Sequence, residues 1–333
     1  MSYTLDDFSY NLPDNRIAQQ PATPRDHSRL LVYNRETGII TDDHFYNIGN
    51  YLPSDTSLVV NNSKVEKCRL LFDDGSKEIF VTHIVDPTTV EAMVRPGKKF
   101  KVGKTFEPVD GFSVETVAIA DDGIRTLKLS HTLDHPKLEP YKKTPFPPYI
   151  EQDETLAERY QTVYAKDLGS KAAPTAGLHF TPELLQKLKK QGIQKHEVTL
   201  HVGLGTFAPV KTEKIEDHHM HSEWYNLSRS QAEALNKEKS ITAVGTTSVR
   251  VLESAKKTGQ PFTPSSGETD IFITPGYTFK SVDHLITNFH LPKSTLLMLV
   301  GAFTGMKALW KIYDHAVANE YRFYSFGDAM LIL

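Results

Sequence analysis

A chain of 333 residues, 39% hydrophobic and 24% charged, has ordinary globular composition; it is long enough for two domains and unlike a disordered segment. Its net charge of -3 excludes a uniformly basic nucleic-acid binder, so an RNA partner would have to be held by a local surface. One cysteine, Cys68, permits no internal disulfide and fits a reducing cytosol. The opening MSYTLDDFSYNL is acidic and broken, unlike a signal peptide. The most apolar run, Leu296 to Phe303, is far below the ~20 residues of a membrane span. It reads as a buried core helix, and no membrane association is expected.

In chain order, Arg16, Arg25, Asp26 and Arg29 precede the apolar strand Leu30-Leu31-Val32. Arginines there can pair a planar anion bidentately, or serve as solvated charges that hold the strand in register. RETGII reads as a hairpin turn at Gly38, and Ser57 to Val60 as a buried strand. From Asn61 to Tyr149 short β-branched segments alternate with Asp-Asp-Gly-Ser, Pro-Gly-Lys-Lys and Asp-Asp-Gly turns, without a good helix. The expectation is an all-β insert, a small barrel. Its Lys98, Lys99, Lys101 and Lys104 either favour a phosphate backbone or form a solvated edge that discourages strand pairing. Pro145 to Tyr149 fits a stiff return linker.

After the insert, Leu156 to Ala165 has helical spacing, and strands alternate with helices to the end. Thr181 can cap a helix with Pro182 at its first position and Leu184, Leu185 and Leu188 on one side, ended by Gly192. Pro174 to Phe180 approaches its N-terminus, so backbone N–H groups and the His179 imidazole meet where an anion is favoured. Val198, Leu200 and Val202 then alternate with Thr199 and His201, a strand period, before the turn Gly203-Leu204-Gly205-Thr206. Ile241 to Val244 reads as a strand, Gly245 to Ser248 as a turn and Val249 to Lys257 as a helix. This puts Thr246, Thr247 and Ser248 outside the carboxyl end of a strand, where open α/β sheets bind ligands, although simple capping also explains such hydroxyls. Asp270 to Ile273, Leu285 to Phe289 and Phe323 to Phe326 read as further strands, with helices at Thr295 to Phe303 and Met306 to Asn319.

Glu216 to Glu223 (EDHHMHSE) invites a metal reading, but adjacent histidines on one segment seldom converge on one ion; hydrogen bonding or acid/base work is the alternative. Asn288 and His290 share one side of a strand end, either structural or functional. Tyr321 to Asp328 offers rings and an arginine that could stack a base or a sulfonium, or close the core.

Taken together, RYQTVYA (159–165), AAPTAGLHF (172–180), VTLHVGLGTFAPV (198–210), GTTSVR (245–250) and TNFHL (287–291) closely resemble the S-adenosylmethionine:tRNA ribosyltransferase-isomerase family of queuosine biosynthesis. The likeness runs nearly the whole length and includes RDHSRLLV (25–32), MHSE (220–223) and residues 321–330. The chain departs from the family pattern at Asn61-Asn62-Ser63-Lys64-Val65, Cys68, Phe146 and Lys171.

The resemblance implies a cytoplasmic enzyme: a mixed-sheet α/β catalytic domain formed by residues 1–60 and 150–333, with an inserted small all-β barrel domain at 61–149. It would transfer and isomerise the ribosyl part of S-adenosylmethionine, a co-substrate, onto 7-aminomethyl-7-deazaguanine at the tRNA wobble position. Adenine and methionine would leave, giving epoxyqueuosine. No metal is required, and the partners expected are the tRNA anticodon loop and S-adenosylmethionine, bound by a monomer. The chemistry needs a base for the C5′ hydrogen, an acid for adenine and donors for a developing oxyanion. His179 and His201 are the first candidates for base and acid, Glu223 a second base, and His221 its orienting partner. The expected substrate-binding residues are Arg16, Arg25, Asp26, Arg29, Thr175, Gly177, Thr199, Gly203, Thr206, Thr246, Thr247, Ser248, Arg250, Asn288 and His290. A sensor that binds without turnover and a metal-dependent hydrolase on the histidine cluster are the rival readings.

Overall fold

The computed structural model describes residues 3–203, 210 and 212–333. By contact density the chain forms two units: one of Met1–Lys64, Pro147–Glu151 and Glu158–Leu333, the other of Val65–Phe146 and Gln152–Ala157. In chain order the strands are β1 (Arg29–Tyr33), β2 (Ile40–His44), β3 (Thr56–Asn61) and β4 (Ser63–Val65). There follow β5 (Arg69–Phe72), β6 (Lys77–Asp86), β7 (Thr89–Arg95), β8 (Thr105–Val109), β9 (Phe112–Ile119), β10 (Arg125–Leu129) and β11 (Lys142–Lys143). The last group is β12 (Asp167–Ser170), β13 (Lys195–Leu200), β14 (Glu223–Leu227), β15 (Ser240–Val244), β16 (Ser265–Thr269), β17 (His284–Asn288) and β18 (Ala329–Ile332). The helices are α1 (Pro182–Lys190), α2 (Arg229–Leu235), α3 (Thr246–Ala255), α4 (Thr295–Thr304) and α5 (Met306–Ala318).

The first unit is built on a mixed sheet of order β16-β14-β13-β3-β15-β17-β18-β1-β2. Its middle is parallel, β13 with β3, β3 with β15 and β15 with β17, whereas β14, β16, β2 and the β17–β18 pair run antiparallel. Strand β3 is buried at all six positions, as a central parallel strand covered on both faces must be. The two-residue period divides the sheet's apolar side chains between two cores. Leu31, Val59, Val198, Leu200, Ala243 and Leu285 pack on one face with α3, α4 and α5. Leu30, Val32, Leu58, Val60, Val244 and Ile286 pack on the other with Leu184 and Leu188 of α1. The Thr181 hydroxyl caps α1 by accepting from the Leu184 N–H at 3.0 Å.

The second unit is a seven-stranded sheet, β11-β5-β6-β7-β10-β9-β8, antiparallel at every described pairing. Leu70, Phe72, Ile79, Val81, Val90, Ala92, Val114 and Leu127 alternate into one core, with 3-10 turns but no α-helix among the described residues. The hydrogen-bond ladder has two ends, β11 and β8, so the all-β expectation holds at the level of an open sheet. Cys68 lies buried in this core, and burial raises its thiol to about 12, away from reactivity.

Several local expectations shift. Helical spacing over 156–165 yields only a 3-10 turn at Glu154–Leu156 and then irregular chain. The strand expected at 270–273 lies at β16, and Phe323 makes an isolated bridge to Ile17 while the strand proper is β18. Residues 321–328 form a tight loop instead. Tyr324 takes φ of 72°, and the buried Asp328 carboxylate accepts from the Arg322 N–H at 2.8 Å and the Arg29 N–H at 3.0 Å. Those closing bonds suit a loop, not a ladder. A Cβ on Gly327 would lie 2.5 Å from the Arg322 carbonyl oxygen and 2.6 Å from the Phe323 carbonyl carbon, so backbone would have to move. Gly327→Ala is expected to cost roughly 1–3 kcal/mol, the range of overpacking. An unchanged urea midpoint would show that the loop yields freely.

Candidate functional site

The same topology gathers strand ends and helix starts around one cavity of about 270 Å³ in the first unit, near the lower edge of small-molecule sites at roughly 300–1,000 Å³. At the end of β15, Gly245 takes φ of 86°, a conformation that favours glycine, and turns the chain into α3 within one residue. The hydroxyls expected in a turn therefore occupy the first turn of α3, and Thr246 and Thr247 line the cavity. Ser294 caps α4 by accepting from the Leu297 N–H at 3.2 Å, and Ser294 and Thr295 also line the cavity. Two helix N-termini thus face one space, which favours a carboxylate or phosphate there. The Thr247 hydroxyl is buried and makes no hydrogen bond to a described residue.

The opposite character comes from Tyr149 and Tyr324, which stack with centroids 4.5 Å apart and an interplanar angle of 25°. The Tyr149 and Ser325 hydroxyl oxygens are 2.9 Å apart. Paired electron-rich rings suit a cation or a base. His290 brings an imidazole to the cavity just beyond β17; its Nε2 lies 3.0 Å from the Thr287 hydroxyl, and burial pushes its pKa down to about 3. It is neutral at physiological pH.

Of the residues singled out from sequence, Thr175, Thr246, Thr247, Asn288 and His290 line this cavity. Gly177 is not among the lining residues, and a Cβ on it would collide with the Tyr164 hydroxyl. The Ser248 hydroxyl donates back to the Val244 carbonyl, four residues earlier, at 2.8 Å, so it is spent on the strand end and does not cap α3, whose N-cap is Gly245. Thr199 is buried elsewhere, donating to Asn62 at 2.8 Å and Asp167 at 3.0 Å. Thr206 lies outside the described residues.

The arginines expected to bind an anion are not among the residues lining the cavity. Arg16 pairs Glu320 at 2.5 Å, Arg25 donates to the Gln161 carbonyl at 2.9 Å, and Arg29 lies 3.8 Å over the Tyr321 ring. Asp26 accepts from Thr181 at 3.3 Å. Arg250 forms a buried ion pair with Glu223, whose other oxygen accepts from the Gly203 N–H at 2.7 Å. That pairing, which spacing cannot reveal, occupies the candidate base. His221 is exposed, and His201 stacks on Trp224 with centroids 5.0 Å apart. His179 is buried outside the cavity lining with Nδ1 2.7 Å from the Ser28 hydroxyl, and burial pushes its pKa down to about 4. Among the described residues no three His, Cys, Asp or Glu side chains are grouped to hold a metal ion. No single described helix is long and apolar enough to cross a membrane.

Tyr149 and Ser325 were missed as cavity residues. Tyr149 sits in what reads as a linker, and only the stack with Tyr324, named above as a stacking or core ring, marks it.

A family model described as "Queuosine biosynthesis protein" matches residues 5–332. The S-adenosylmethionine:tRNA ribosyltransferase-isomerase of Desulfitobacterium hafniense is 46% identical, with 99% of each chain covered. Its namesake from Finegoldia magna is 47% identical, covering 98% of this chain and 97% of that one. The crystal structure of S-adenosylmethionine tRNA ribosyltransferase from Thermotoga maritima is 38% identical, with a TM-score of 0.58 over 98% of this chain and 100% of that one. Matches of this extent leave one conclusion: the chain belongs to the queuosine biosynthesis protein family, whose members these S-adenosylmethionine:tRNA ribosyltransferase-isomerases are.

Proposed function

We propose that this chain is an S-adenosylmethionine:tRNA ribosyltransferase-isomerase and that the cavity in its first unit holds S-adenosylmethionine. The carrying observation, beside family membership, is that two helix N-termini, one neutral imidazole and a pair of stacked tyrosines meet in one space. That set matches the charges of the ligand. The methionine carboxylate suits the N-termini of α3 and α4 with the Thr247 hydroxyl, and the sulfonium suits the Tyr149–Tyr324 rings.

The sulfonium acidifies the C5′ hydrogen. His290 is the imidazole placed to take that proton and, having a low pKa, to return it promptly to adenine as the glycosidic bond breaks. The aminomethyl nitrogen of the deazaguanine base on tRNA forms the new carbon–nitrogen bond and gives up a proton to solvent. As the ribosyl skeleton isomerises, one of its oxygens closes the epoxide on the carbon that bore the sulfur, so that methionine leaves with the electrons of the carbon–sulfur bond. Glu223, paired with Arg250, holds the Gly203 N–H, while Arg16, Arg25 and Arg29 tie down the N-terminal segment. The insert acts as a small barrel-like lobe that contacts tRNA, with the exposed Lys98, Lys99, Lys101 and Lys104 meeting phosphates. A cytoplasmic monomer acting without a metal completes the reading.

The test is release of free adenine and methionine from S-adenosylmethionine, with and without tRNA bearing the 7-aminomethyl-7-deazaguanine precursor. Release that depends on this tRNA is expected. Binding of both ligands without release would replace the transferase by a sensor.

A further inference from the structure

His179 is 4% exposed, stacked beside Phe45 with ring centroids 5.0 Å apart, and it is not among the residues lining the cavity described above. Its Nδ1 is 2.7 Å from the Ser28 hydroxyl, while its Nε2 is buried with no hydrogen-bond partner among the described residues. Asn288, 2% exposed, has the complementary deficiency. Its Nδ2 donates to the Tyr324 carbonyl at 2.9 Å, and its Oδ1 is buried without a donor. The 3-10 turn Thr175–His179 packs against β17, whose last residue is Asn288, and this brings the two side chains into the same buried layer. A buried donor and a buried acceptor, each orphaned, are jointly satisfied only if the ring carries its proton on Nε2 and gives it to Asn288. The opposite tautomer would set a bare nitrogen against a bare carbonyl oxygen.

We propose that His179 is a positioning residue: a chain from Ser28 through His179 to Asn288 fixes the Asn288 amide and, through the Tyr324 carbonyl, the tyrosine wall of the cavity. Tyr324 needs such a hold. Its φ of 72° is unusual for a side chain of that size, and its N–H is tied to the Phe289 carbonyl at 3.1 Å. Clamping both backbone groups of Tyr324 keeps its ring stacked on Tyr149, where a ligand cation or base would lie. In this arrangement His179 does not exchange a proton with substrate; its effect is on how tightly the ligand is held. The ligand part of the inference rests on the cavity being the S-adenosylmethionine site.

Two measurements test it. In protein labelled with ¹⁵N-histidine, long-range ¹H–¹⁵N correlation should show His179 as the Nε2–H tautomer; the Nδ1–H tautomer would overturn the chain whatever the ligand is. Calorimetric titration with S-adenosylmethionine then compares His179→Gln, whose amide reaches the Nε2 position, with His179→Asn, which reaches only Ser28. Loss of one such hydrogen bond should weaken binding by about tenfold in His179→Asn. His179→Gln should recover most of it, and both should turn over at near wild-type rate once saturated. Equal affinity in both variants and wild type would overturn positioning. So would a collapse of saturated turnover at unchanged affinity, which would put the ring in proton transfer. Failure of the wild type to bind S-adenosylmethionine would instead sink the ligand reading, leaving the tautomer to decide the chain.

Discussion

Replacing Glu223 by alanine is expected to destabilise the fold by about 3–5 kcal/mol, the cost of leaving a buried charge unpaired. Glu223 and Arg250 are each 4% exposed, so neither charge can be rescreened by water without local opening. The pair joins β14 to α3, and Arg250 also donates to the Thr269 carbonyl of β16 at 3.3 Å. Glu223→Ala removes the acceptor of the Gly203 N–H in the same step. Urea unfolding of the single variant and of Glu223→Leu with Arg250→Met separates the causes. Replacing both charges by apolar groups is often neutral, so the double variant should regain most of the loss. A single-variant cost below about 1 kcal/mol would mean that the pair is not desolvated as the geometry indicates.

The second large effect is on rate. His290→Gln is expected to slow adenine release by about 10²- to 10⁴-fold, the usual contribution of a positioned acid/base group. Glutamine keeps a hydrogen-bonding partner for Thr287 but cannot carry a proton, so affinity for S-adenosylmethionine should change little. Single-turnover release at saturating S-adenosylmethionine reads the rate, and a rate within threefold of wild type would remove His290 from the chemistry. With its pKa pushed down to about 3, His290 should give no rate limb of its own between pH 5 and 8. The sign for stability is separate. The folded pKa lies below the unfolded value near 6.5, so the unfolded chain binds more protons between these values. Stability is fully present above about pH 6.5 and falls as pH drops toward 3; His290→Gln should flatten part of that decline.

Much of the framework is legible along the chain because it is local. The alternation of Val198 and Leu200 with Thr199 marks β13, the Thr181–Pro182 pair starts α1, and a glycine ends the helix Thr295–Thr304. The all-β texture of the insert follows from turn residues at short spacing, without any knowledge of partners. Family motifs identify the reaction because they are long and ordered. The motif that contains His179 does not say that its ring faces Ser28 instead of the cavity.

The site was less legible, for a physical reason visible in particular pairs. Arg16, Arg25 and Arg29 share a segment and a chemistry, yet their charges end on Glu320, the Gln161 carbonyl and the Tyr321 ring, which only tertiary neighbours could decide. Glu223 reads as a free base until folding brings Arg250 against it. Tyr149 becomes part of the cavity wall only when a loop held by Asp328 delivers Tyr324 to it. By itself the sequence determined the elements, the core faces and the family, because period, capping and motif act over a few neighbouring residues. The tertiary structure decided which polar groups are spent on one another and which remain for a ligand, because burial makes every hydrogen bond and charge answer to groups distant along the chain.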